Sequence, residues 1–270
     1  MLTWYKETKR IYNFVLCPAF LIVFAIGLFT NNDVLTIVSV ILYVFFLVLL
    51  TALVYKTMLD VNNSFKNELD IKKFLDFYEN AAKGKLYKNG MLLVKTNLVT
   101  GYLACGEIGK VFDIYNKKPY TRAMSKKAEP LMAYLLGYTE CLLTGRCLDN
   151  IEKYFCELDD LLGKVNPKNM QHYKTSVDLL RFQYLCQSGN YEGLEELYVD
   201  LSERIDSVYR KIKINYWCGV YYHKTGKYED ALDKFKFVSE NGKETIFAKK
   251  AKEFRNLYKS DDSMSCDETS

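Results

Sequence analysis

Cys218 and His223 are the one thiol and imidazole close enough in sequence to suggest a nucleophile and its base. Five residues apart on a helix, they point about 140° away from each other, so a helix cannot bring them together. The paired carboxylates Asp159-Asp160 and Glu195-Glu196 lie among charged neighbours and read as solvated helix faces. His172 is the only other histidine, and none of the eight cysteines forms a C-x-x-C pair, so no metal site is expected. No phosphate-cradling glycine loop, G-x-S-x-G elbow or H-E-x-x-H helix occurs. The expectation is a protein that is not an enzyme and needs no cofactor, with an enzyme bearing an unrecognised site as a remote alternative.

The net charge of +4 is small for 270 residues and gives no nucleic-acid signal. Four prolines and 14 glycines argue against a turn-rich β fold. The cysteines read as small buried hydrophobes of a reducing compartment.

Hydropathy divides the chain. Residues 11–32 and 34–55 carry no charge, and each exceeds the roughly 20 residues needed to cross a bilayer. A cleaved signal would have a shorter apolar core and no second span at once behind it. Asn31, Asn32 and Asp33 separate the two, so the expectation is a retained two-helix hairpin. Lys6, Lys9 and Arg10 precede it, and Lys56, Lys66, Lys72 and Lys73 follow it. The positive-inside rule then makes this a multi-pass protein of the cell membrane with both termini cytoplasmic. Residues 1–10 form the cytoplasmic N-terminus and 56–90 a juxtamembrane helical linker, with Asn62-Asn63-Ser64 as a possible break. A helical repeat domain is expected over 91–259 and a disordered acidic tail over 260–270.

An apolar ladder recurs in the repeat region. Gly226 is followed by Tyr228, Ala231, Phe235 and Val238, and Gly189 by Tyr191, Leu194, Tyr198 and Leu201. Both keep the spacing i, i+3, i+7, i+10, which is one helix face. Gly145 starts the same ladder one residue late, with Leu148, Ile151, Phe155 and Leu158. Gly106 is followed by Ile108, Val111 and Tyr115, with Lys118 in the fourth place. About four helix–turn–helix units result, closed by an amphipathic helix with Phe247, Ala251 and Phe254 on one side and Lys249, Lys250, Lys252 and Arg255 around the other.

"NYWCGVYYHKTGKYEDALDKF" resembles a tetratricopeptide (TPR) repeat. Gly219 and Tyr222 fit its first helix, Gly226-Lys227-Tyr228 its turn, and Ala231 and Phe235 its second helix. "SGNYEGLEELY" is a weaker copy. Trp217 lies outside the usual tryptophan slot, which Asn215 occupies, and Lys243 stands where a closing proline is expected. Together with the hairpin read from hydropathy, the resemblance implies an all-α fold: a two-helix transmembrane hairpin followed by a TPR-like α-solenoid of about four helical hairpins. It further implies that the first helix of each unit lines a groove. Lys213, Tyr216, Val220, His223 and Lys224 would face it, with Ser176, Leu179, Gln183, Cys186 and Gln187 from the preceding unit. The two lysines could meet a carboxylate, and Tyr216 could pack on a side chain. The implied function is a membrane-anchored cytoplasmic scaffold or adaptor binding a protein or peptide. The alternative is a structural subunit of a larger membrane complex or homo-oligomer, with Asn13 and either Thr36 or Ser39 helping the spans to pack.

Overall fold

The computed structural model describes residues 17–84, 88–117 and 128–265. The N-terminal segment 1–10 with its basic residues, the start of the first expected span at 11–16, Lys118 and residues 266–270 lie outside the described residues. Among those described there are twelve helices and no strand, so the chain is all-α. It divides into two compact units between Asn63 and Ser64.

In the first unit, α1 (Cys17–Phe29) turns into α2 (Asp33–Glu68). Asn31 takes a left-handed φ of 51°. The amides of Asn31 and Asn32 donate to the carbonyls of Leu28 and Gly27, closing the exposed end of α1. The Asn32 side chain then accepts from the Leu35 amide at 3.1 Å and caps α2. Gly27 is required by close approach, because a Cβ there would lie 2.5 Å from Thr36 Oγ1. Phe20 rests against the rings of Tyr43 and Phe46. α2 has 36 residues, about 54 Å of helix, and is long and apolar enough to cross a membrane. The described part of α1 has 13 residues, about 20 Å, and is shorter than a span.

The second unit begins in the last turn of α2. The expected break at Asn62-Asn63-Ser64 is absent, and the helix continues to Glu68. No glycine or proline interrupts it, and Ser64 Oγ donates to Glu68 at 2.9 Å, one turn on. The break falls instead at Leu69, buried and left-handed with φ 55°. Asp70 follows as the cap of α3 (Ile71–Ala82), accepting from the Lys73 amide. The remaining helices are α4 (Lys88–Cys105), α5 (Ile108–Lys117), α6 (Ala128–Thr144), α7 (Ile151–Leu162), α8 (Pro167–Ser188), α9 (Leu194–Arg204), α10 (Val208–Lys224), α11 (Tyr228–Asn241) and α12 (Ile246–Ser265). α12 has no internal glycine or proline, so it runs through residues 260–265, the first part of the expected disordered tail.

Packing pairs α4 with α5, α6 with α7, α8 with α9 and α10 with α11. The first members also pack in succession, α4 on α6, α6 on α8 and α8 on α10, while α12 packs on α10, α11 and α4. The ladder residues are what these pairs bury. Val111 and Tyr115, Ile151, Phe155 and Leu158, Leu194 and Leu201, and Ala231, Phe235 and Val238 are all inside. Tyr228 stays exposed beside the His223 ring.

Each first helix ends on a left-handed residue: Gly106, Arg146, Gly189 and Gly226, with φ of 83°, 57°, 80° and 79°. In three of them that residue's amide and the next one bond back to the helix in the same reciprocal pattern. Arg146 and Cys147 donate to Leu143 and Leu142 as Gly226 and Lys227 do to His223 and Tyr222. The turn residue of the second unit is therefore Arg146 rather than Gly145. Counted from Arg146, the ladder of Leu148, Ile151, Phe155 and Leu158 is no longer one residue late.

Candidate functional site

Three of the ten residues expected to face an open groove carry its polar chemistry inward. Lys213 is only 3% exposed, and its ammonium donates to Glu140 on α6. Gln183 is 1% exposed, and its side-chain oxygen has no hydrogen-bond partner. Ser176 accepts from Arg210 Nη2 at 2.7 Å. Leu179 is buried, and His223 stacks edge-on against Phe254 at 5.4 Å between ring centres. The inner side of these helices is filled because each first helix packs on the next, so Lys213 is a core cation rather than a docking group.

The other five, Cys186, Gln187, Tyr216, Val220 and Lys224, do come together. They line a half-open trough of about 480 Å³, a volume typical of ligand pockets. α8 contributes Cys186 and Gln187. α10 contributes Tyr216, Val220 and Lys224, and also Trp217. The end of α6 adds Thr144, and the turn after it adds Arg146 and Leu148. α12 closes the wall with Ile246, Phe247, Lys250, Glu253 and Phe254. Tyr216 packs its ring on Phe247 at 5.3 Å, and burial pushes its hydroxyl up to about 12.

The polar groups of the trough are unevenly used. Lys224 Nζ donates to the Cys186 carbonyl at 3.3 Å, serving an end of α8 that would otherwise lack a partner. Gln187 Nε2 donates to the Leu143 carbonyl at 3.0 Å. Gln187 Oε1 and Trp217 Nε1 are buried and have no partner. Lys250 is half-buried, and burial together with Arg146 lowers its ammonium pKa, Glu253 opposing. Among the described residues no carboxylate forms an ion pair with Arg146 or Lys250.

The trough offers no poised thiol. Burial raises the Cys186 thiol far above its usual range and the Cys218 thiol to about 12, so both stay protonated at neutral pH. Among the described residues no three His, Cys, Asp or Glu side chains are placed to hold a metal. The arrangement suits recognition: aromatic and apolar walls, two unpaired cations and one unused donor and acceptor. Sequence reasoning missed Arg146 and Trp217. Arg146 was hidden behind Gly145 as the assumed turn residue, and Trp217 was read only against the repeat pattern.

No protein-family profile matches the chain, and comparison with curated proteins and with solved structures returns no match.

Proposed function

We propose that the protein is a membrane-tethered adaptor whose helical repeats, arranged as a TPR-like solenoid, bind a peptide or protein segment in the trough. The observation that supports this reading is the trough itself, where residues from four separate helices converge around unpaired polar atoms and aromatic walls. Buried polar groups without partners cost stability, and a ligand that pairs them recovers it. α1 and α2 form the transmembrane hairpin, with both termini in the cytoplasm. Tethering would raise the effective concentration of the trough near other membrane proteins. The experiment is affinity capture from detergent with the full chain and with a chain lacking residues 1–55. Partners retained without the hairpin support the adaptor. Partners lost with it move the reading to a structural subunit assembled through its spans.

A further inference from the structure

Arginine is an expensive residue for a left-handed turn, because its Cβ crowds the following carbonyl. The other three first helices end on glycine at the equivalent place, which avoids that crowding. Arg146 alone keeps a long side chain there, and it keeps it exposed on the trough with no carboxylate paired to it. Lys250 lines the same trough, and Arg146 is one of the causes that lower its ammonium pKa, after burial. Glu253 is the only acidic residue of the lining. An anion seated between Arg146 and Lys250 would relieve that repulsion.

The unused neutral groups narrow the ligand. Trp217 has one N–H and Gln187 one carbonyl oxygen buried in the lining without partners, and a ligand pairs with them once these side chains shift toward the trough. One donor and one acceptor suit the backbone of a bound peptide, whose carbonyls accept and whose amides donate. A free anion would occupy the cations and leave the Gln187 oxygen unpaired. The walls beside them, Val220, Phe247 and Phe254, suit an apolar side chain.

We propose that this end of the trough is a subsite for an aspartate or glutamate side chain of a bound peptide. Arg146 and Lys250 hold the carboxylate, Trp217 and Gln187 pair with neighbouring backbone carbonyl and amide groups, and an adjacent apolar side chain rests on the aromatic wall. The inference rests on the peptide-binding reading above.

The chain has two tryptophans, so Trp4→Phe leaves Trp217 as the single reporter. The full chain in detergent micelles is panned with a library of random decapeptides. The peptides enriched over empty micelles are remade acetylated and amidated, to remove terminal charges, with each acid also replaced by its amide. The expected result is enrichment of peptides bearing an acid beside an apolar residue. Their binding shifts Trp217 emission and weakens at least tenfold when the acid becomes Gln or Asn, and it falls with salt. Arg146→Gly removes this preference without lowering the melting temperature, since it also relieves the backbone. Arg146→Lys retains part of the preference, and Lys250→Met weakens it. Enriched peptides that bind equally well as amides, or whose acid preference survives Arg146→Gly, overturn the subsite and leave the peptide trough standing. Inorganic phosphate or acetate shifting the Trp217 emission as fully as the peptides would also overturn it, in favour of a free-anion site. No enrichment over empty micelles overturns both readings.

Discussion

Lys213 and Glu140 illustrate how much a single residue's role depends on what lies opposite it. Their pair links α10 to α6 inside the packed first helices, and Lys213 is almost wholly removed from solvent. Lys213→Ala strands Glu140 and should cost about 3–5 kcal/mol, read as a fall in melting temperature by circular dichroism. Replacing both, Lys213→Met with Glu140→Leu, should restore most of that loss, because no unpaired charge remains. His172 makes a second residue-scale prediction. Burial and the adjacent Arg210 lower its pKa to about 4 from 6.5, with Lys66 adding to the effect and Asp206 opposing it. Between pH 6.5 and 4 the unfolded chain takes up a proton that the folded chain refuses, so stability falls as the pH drops through that window. The residue as a whole is exposed, which keeps the effect modest. His172→Gln should flatten the slope in pH-dependent melting, and an NMR titration should place the ring pKa below 6.5.

At the scale of elements, the last repeat is held by the contact between α10 and α11. A Cβ on Gly219 would lie 2.8 Å from the Phe235 ring and 3.2 Å from Lys234 Cβ. Gly219 therefore packs closely on Phe235 and Lys234. Gly219→Ala should cost about 1–3 kcal/mol by overpacking, measured by thermal melting. Lys234 is no idle surface residue either, for its ammonium donates to the Tyr198 hydroxyl at 2.8 Å and lies over that ring. The turn between the two helices makes a different demand. Gly226 has open space around it but a φ of 79°. Gly226→Ala should cost about 1–2 kcal/mol from backbone conformation alone.

For the whole molecule, the second unit is built from successive first helices packed on one another, with α12 reaching back to α4. Ile246 meets Gly106 across that contact, and Lys243 donates to the Glu68 carbonyl. The proposed membrane arrangement places the Asn31-Asn32 turn outside the cell. An Asn32→Cys variant, in a background without the native cysteines, should react with an impermeant thiol reagent applied to intact cells. Protection at 32, with labelling of a restored Cys266, would reverse the orientation.

The helical class, the long apolar segments at the N-terminus and the four-fold ladder were legible in the sequence, because each follows from local periodicity and side-chain polarity. A ladder marks which face of a helix is buried, and Ala231, Phe235, Ile151 and Leu158 are inside as their spacing requires. It does not say whether the opposite face meets solvent or another helix. That was decided by the packing of α6, α8 and α10 on each other, which took Lys213 and Gln183 out of reach and left Lys224 at the edge. The turn register also lay beyond local pattern, since Gly145 and Arg146 are adjacent and glycine is the ordinary left-handed residue. The reciprocal amide bonds after α6 gave that position to Arg146, and the packing of α12 on α10 brought Lys250 and Trp217 into one trough. Those residues are far apart in sequence, and only the packing of their helices makes them neighbours.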